Sequence, residues 1–206
     1  MMDPAFAPAT DVKPMHPRRA ATRARICGGA NQLFFERGFP VVTMEQIAAS
    51  AEIQRSTLYL HFREKDEILA AIAEDYTAKV RAVVAQLPGP APTLAEIQNW
   101  VGVFAHFVTE ERASTELLVT LSHLPNAPAT ALAFGEALKG MMAERLSAFR
   151  KALAPNQHFA FARAMFAMDN LGWALCYFAR TGANASSLAR LSVAAETLNR
   201  IVRDNS

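Results

Sequence analysis

Apolar positions recur along this chain with the spacing of helices and nowhere with the sustained alternation of strands. Ile26, Ala30, Leu33 and Phe34 fall at i, i+4, i+7 and i+8, one face of a helix expected from about Thr22 to Arg37. Gly38 then suits a left-handed stop, and Pro40 prevents resumption. Thr43 opens the next helix. Thr43-Met44-Glu45-Gln46 fits a capping box, in which the threonine hydroxyl takes the Gln46 amide and the Gln46 side chain reaches back. Ile47, Ala48 and Ala51 supply a short apolar face, about two turns long. A tight break at Glu52 and Ile53 separates it from a second short helix, about Arg55 to His61. A long helix follows from Lys65 to Leu87, with Ile68, Leu69, Ile72, Tyr76, Val80, Val83 and Leu87 as its buried face.

Leu87-Pro88-Gly89-Pro90-Ala91-Pro92 is the clearest punctuation in the chain. Beyond it, helices are expected over about 93–109, 114–124, 128–153, 156–181 and 185–203, with breaks near Glu110, at Pro125-Asn126, at Pro155 and at Thr181-Gly182. The fold class is therefore all-α, with about nine helices. Residues 1–19 carry Pro4, Pro8, Pro14 and Pro17 and few apolar anchors, and read as a flexible basic arm. Residues 20–80 form an N-terminal helical unit, and 81–206 a larger helical region.

The middle pair of short helices is joined by only a few residues. So short a link forces a sharp crossing, the helix-turn-helix geometry, expected over 43–62. Ala48 is small where the two helices approach, and Ile53 and Leu58 close the wedge with Ile47; Leu58 and Phe62 are assigned to the core. The outer side of the second helix stays free, in the shape that fits a DNA major groove.

Gly38-Phe39, Thr43, Ile47-Ala48, Ala51, Ile53, Thr57-Leu58-Tyr59, His61-Phe62 and Lys65 together resemble the N-terminal domain of the TetR family, over about residues 20–70. The resemblance implies a dimeric transcriptional regulator whose remaining helices bind a small molecule and dimerise. It also implies phosphate contacts for Thr43, Tyr59, His61 and Lys65. Two positions depart from the family pattern: Glu52 stands where glycine is usual, and Gln54 where serine is usual. A left-handed Glu52 costs roughly 1–2 kcal/mol relative to glycine, and Gln54 is the poorer N-cap but could reach a base or phosphate.

Roles for the remaining residues follow from chemistry. Arg55 and Ser56 lead the second short helix and can meet base edges, arginine favouring guanine. Leu60 can touch a thymine methyl. Thr57, like Tyr59, His61 and Thr43, offers hydrogen bonds to phosphate oxygens. Structural alternatives stay open: Thr43 as a cap alone, Tyr59 as partial core, His61 as surface cover. Lys65 opposes the helix dipole, so either a docked phosphate shares its site with the free amides or it is simply exposed.

Charge adds to this picture through its distribution. The net charge is only +2, but residues 1–65 hold nine Lys/Arg against six Asp/Glu, a net of +3, with Arg18, Arg19, Arg23 and Arg25 close together. Cys27 and Cys176 lie far apart and read as ordinary reduced thiols. His16, His61, His106, His123 and His158 form no zinc pattern, and no phosphate loop, nucleophile elbow or paired-carboxylate signature stands out. No metal, cofactor or catalytic activity is expected. No apolar run reaches the ~18 residues of a membrane span and no signal peptide is discernible, so the reading is a cytoplasmic protein.

In the C-terminal region the segment Phe159 to Phe178 is apolar nearly all round. The last helix carries Leu188, Leu191, Ala194-Ala195, Leu198 and Ile201-Val202 along one stripe. Paired with a symmetry mate, these last two helices could build a four-helix homodimer interface. Trp100, Phe104, Phe107, Met141, Met142, Phe166, Asp169, Asn170 and Trp173 could line a ligand pocket, or be ordinary core. The reading is thus a regulator that binds a pseudo-palindromic double-stranded DNA operator and is released by an unknown small molecule. The competing reading is a helical ligand-binding or scaffold protein that has lost DNA binding.

Overall fold

Ten α-helices and one 3₁₀ turn carry the regular structure of the computed structural model, which describes residues 17–204. The N-terminal unit comprises α1 (Pro17–Arg37), the 3₁₀ turn Phe39–Val41, α2 (Met44–Ser50), α3 (Arg55–Tyr59) and α4 (Lys65–Val84). The expected arm is corrected at its end: α1 starts at Pro17, whose missing N–H costs nothing at a first helical position. Arg18 and Arg19 are therefore helical; the rest of that arm lies outside the described residues. Between α1 and α2, Gly38 leads into a 3₁₀ turn, Phe39–Val41, with Pro40 at its centre.

The C-terminal body comprises α5 (Leu94–Glu110), α6 (Arg112–Ser122), α7 (Ala129–Arg145), α8 (Ser147–Ala152), α9 (His158–Thr181) and α10 (Ala185–Asp204). The single helix expected over 128–153 is two. Leu146 is extended at φ −113, ψ 122, and wholly buried. The cause lies far back in sequence. The Ser147 amide donates to the Pro90 carbonyl at 3.2 Å, and the Arg145 guanidinium donates twice to the Leu87 carbonyl, at 2.9 and 2.6 Å. The proline-rich link thus docks on the bend, and a Cβ at Gly89 would run into the Arg145 carbonyl oxygen. Because Leu146, Ala148 and Phe149 are all buried, the apolar pattern runs through the bend without a mark.

One core runs from Ile26 to Val202. α9 and α10 pack side by side with α5 against both, α4 lies along α7, and α6 touches α1, α4, α7 and α9. This corrects the reading of the last helix. Leu191, Ala194, Ala195, Leu198, Ile201 and Val202 are buried within their own chain, and of that stripe only Leu188 is exposed. The outward apolar residues of this helix pair are Phe159, Phe161, Phe166, Trp173, Leu188 and Val193. Among the described residues, no helix is long and apolar enough to cross a membrane.

Candidate nucleic-acid interface and ligand slot

The helix-turn-helix is assembled from local bonds. Thr43 Oγ1 accepts the Gln46 amide at 3.3 Å and Gln46 Oε1 accepts the Thr43 amide at 3.0 Å, the reciprocal cap that the spacing predicts. α2 ends in a turn in which the Glu52 amide donates to Ala49 O at 3.1 Å and the Ile53 amide to Ala48 O at 3.0 Å. Glu52 sits there at φ 50, the left-handed conformation that glycine would adopt without strain. Gln54 begins α3 without a side-chain cap. Gly29 on α1 faces Ser50, and a Cβ would fall 2.7 Å from its Oγ, so glycine sets the approach of α1 to α2.

α3 ends at Tyr59, before His61, because the Leu60 and His61 amides turn back to Thr57 O and Leu58 O at 3.2 and 2.9 Å. Leu58 and Phe62 point into the core. Gln54, Arg55, Ser56, Tyr59 and Leu60 face outward, as does Thr43, and Leu60 is 75% exposed. Thr57 and His61 are half-buried. Arg55 lies between Glu45, at 2.7 Å, and the Tyr59 hydroxyl, at 3.5 Å, both exposed. His61 is held by α1: Arg23 donates to its carbonyl at 3.3 Å and stacks 4.0 Å over the Phe62 ring. Burial first, then Arg19 and Arg23, lower the pKa of the His61 ring. In sequence Arg23 stands out only as part of the basic cluster.

Lys65 differs most from expectation. Its ammonium donates to the Phe39, Pro40 and Val42 carbonyls at 2.9, 2.8 and 3.3 Å, and lies 4.8 Å from the Phe39 ring centre. All three donors are used within the chain. Neither a bare phosphate-binding cation nor an idle surface lysine describes it; Lys65 holds the 3₁₀ turn that leads into α2.

In the C-terminal body a narrow apolar slot of about 50 Å³ opens between α4, α5, α6, α7 and α9. Its walls are Tyr76, Val80, Trp100, Phe104, Val108, Thr115, Val119, Phe134, Leu138, Met142, Met168, Leu171, Gly172 and Leu175. Of the nine residues expected around a pocket, Trp100, Phe104 and Met142 line it. Phe107 stands behind the wall, its ring centre 5.8 Å from that of Tyr76. Met141 is buried elsewhere, and Phe166, Asp169 and Trp173 are exposed. Asp169 instead receives His123 Nε2 at 3.2 Å, with Trp173 beside that ring. Asn170 borders a groove between α9 and α10.

Residues 26–72 match the family model described as bacterial regulatory proteins, tetR family. Over these residues the N-terminal unit is similar to a tetR-family domain. Similar proteins include the HTH-type transcriptional repressor Rv1474c of Mycobacterium tuberculosis (strain ATCC 25618 / H37Rv), 31% identical over 67 residues, covering 32% of this chain and 36% of that protein. The HTH-type transcriptional repressor BepR of Brucella suis biovar 1 is 32% identical over 96 residues, 45% of this chain and 46% of the other. The chain thus matches less than half the length of these relatives. Among solved structures, a TetR-like transcriptional regulator from Rhodococcus sp. RHA1 aligns with a TM-score of 0.66 at 21% identity, over 88% of this chain and 97% of that one. The Thermus thermophilus FadR, a TetR-family repressor solved with lauroyl-CoA, aligns at 0.51 and 24% identity, over 89% and 94%. These last two likenesses extend the shared fold over the C-terminal body.

The N-terminal unit meets that body through α6. Asn31 of α1 donates to Ser114 Oγ at 2.9 Å, Tyr76 of α4 bonds Thr115 Oγ1 at 2.7 Å, and Lys79 of α4 bonds Glu111 at 2.7 Å. Buried Glu116 takes Arg112 at 2.8 Å and Arg180 of α9 at 2.7 Å. Ser114, Thr115 and Glu116 are consecutive polar residues, all buried. That run inside an otherwise amphipathic helix is the sequence signal that was missed. The other unforeseen wall residues carry no such mark, since their apolar types suit any core.

Proposed function

We propose that this protein is a sequence-specific DNA-binding transcriptional regulator, a repressor released by a small molecule. The observation that carries the reading is the outward face of α3. Gln54, Arg55, Ser56 and Leu60 lie bare on a helix fixed from beneath by Leu58 and Phe62. That is the arrangement a major groove can read. In this reading Arg55 and Ser56 meet base edges, Leu60 a thymine methyl, and Gln54 a base or phosphate. Thr43, Thr57, Tyr59 and His61 meet phosphates, while Lys65 contributes by holding Phe39–Val41 in place. The names of the similar regulators support the same role.

Residues 20–80 are the DNA-binding unit and 81–206 the effector and dimerisation unit. The homodimer forms through the exposed side of α9 and α10, which would cover Phe159, Phe166, Trp173, Leu188 and Val193. The effector enters the slot and displaces α6. Thr115 lines that slot, and its neighbour Ser114 holds Asn31 of α1, so a shift of α6 reaches the recognition unit directly. Population of the DNA-competent arrangement would fall as the effector binds the other one.

Mobility-shift and footprinting assays against the upstream region of the protein's own gene test the reading. Sequence-specific binding is expected, and the triple substitution Arg55→Ala, Ser56→Ala, Leu60→Ala should abolish the footprint. Undiminished specific affinity in that variant would overturn it. Against the reading of a scaffold without DNA binding stands the turn at Glu52, which keeps both of its backbone bonds despite the unfavoured residue.

A further inference from the structure

The slot's polar atoms carry more information than its apolar walls. None of the lining residues is charged. A charge lodged against these apolar walls would lose hydration with no charged partner to replace it. Three lining side chains bear polar hydrogens, and each proton has a destination. Trp100 Nε1 donates to the Val83 carbonyl at 2.9 Å. Thr115 Oγ1 donates to the Glu111 carbonyl at 2.9 Å. A threonine hydroxyl has one proton, so in the 2.7 Å contact between Tyr76 and Thr115 the tyrosine is the donor. The slot therefore has no free donor. It offers only lone pairs, on the Tyr76 and Thr115 oxygens.

Size narrows the class further. The slot's 50 Å³ is about a third of the roughly 150 Å³ of an apolar cavity known to hold benzene, so a single ring enters only as the wall gives way and nothing larger fits. Met142 and Met168 are the adaptable parts of its wall, since a methionine repacks easily. Gly172 leaves room beside Val119: a Cβ there would lie 3.8 Å from Val119 Cγ1.

We infer that the slot takes a small uncharged molecule, an apolar body about the size of one ring bearing one hydrogen-bond donor such as a hydroxyl. This rests on the slot being the effector site of the proposed regulator. The donor goes to the Tyr76–Thr115 pair, so a ketone or ether of the same body binds more weakly and a carboxylate is excluded.

The full-length protein is titrated with phenol, methoxybenzene and benzoate at neutral pH, with ligand-observed NMR as readout. Phenol should bind about tenfold more tightly than methoxybenzene, the worth of one neutral hydrogen bond, and benzoate should not bind. Thr115→Val strips the acceptor from the tyrosine proton, which then becomes available to a ligand. That variant should gain affinity for methoxybenzene and narrow the gap. Gly172→Leu should fill the slot and remove phenol binding, with circular dichroism verifying that both variants are folded. Benzoate binding as well as phenol, equal binding of phenol and methoxybenzene, or no phenol binding at 10 mM (about the scale expected of a one-ring ligand) each overturns the inference. Phenol binding with the expected preferences but no change in operator affinity would support this ligand class while overturning the effector role, so the two readings fail separately.

Discussion

The helix-turn-helix and the slot use the two faces of a helix in opposite ways. α3 turns Leu58 inward as an anchor and leaves Gln54, Arg55, Ser56 and Leu60 outside as its working surface. In the slot the working surface is the buried one, and Trp100, Phe104 and Met142 hold the body together while they shape the cavity. Outward groups can change with little effect on folding, whereas inward groups change stability and binding together. The contrast also sets tolerance: a five-residue helix such as α3 has little internal stability, so its position depends on the caps, turns and ammonium bonds around it.

Trp100→Ala should give the largest effect. The indole is 2% exposed and bonds Val83 O, so its removal should cost about 3–5 kcal/mol, read by urea denaturation. A loss below about 1 kcal/mol would mean that the slot wall is no part of the core, and the contrast would fail. Arg55→Ala tests the other side. Global stability should not change, while discrimination at one base position of a selected operator drops roughly five- to 150-fold. Lost stability with unchanged base preference would make Arg55 a structural residue.

Lys65→Met lies between these two classes, since Lys65 lies in the proposed DNA-binding unit yet acts inward. Losing its bonds to Phe39, Pro40 and Val42 should destabilise the protein by about 1–2 kcal/mol and weaken binding to every sequence. The slope of log affinity against log salt should stay the same. A slope reduced by about 0.9 would assign Lys65 to a phosphate after all.

What could be read from sequence was what depends on near neighbours. The Thr43–Gln46 box, the Ile26 face and the anchors Leu58 and Phe62 involve residues a few positions apart. The bend at Leu146 did not show, because its partners, Leu87 and Pro90, lie over fifty residues earlier and its own side chain is apolar. The pocket was only partly legible for a related reason: α9 is apolar nearly all round, so its composition does not say that Met168, Leu171 and Leu175 face the slot while Phe166 and Trp173 face outward. Lys65 was read against the helix dipole, a local effect, when carbonyls 23 to 26 residues back decide its role.

Glu52→Gly sharpens the comparison within the turn itself. At φ 50 glycine is unstrained, so the variant should gain about 1 kcal/mol, less some unfolded-state entropy. Specific DNA affinity should stay within about twofold, because Glu52 caps no helix and bonds through its backbone. A loss of stability would show that the Glu52 side chain carries a contact of its own.

The smallest effect concerns pH. Burial, then Arg19 and Arg23, hold the His61 pKa below its ordinary value of 6.5. The unfolded chain therefore takes up this proton first as pH falls, and the folded state gains relative stability only while the ring is neutral. Its contribution is present above about pH 6.5 and erodes as pH drops from there toward the lower folded-state value. His61→Gln should flatten that part of the stability–pH curve and leave the region above pH 7 unaltered, as measured by denaturation at stepped pH. Bound DNA reverses the preference if His61 lies against a phosphate, since the anion favours the imidazolium. Operator affinity of the wild type should then rise below pH 6.5 more than that of the glutamine variant. Parallel curves for the two proteins would leave His61 a covering residue, on the inward side of the division drawn above.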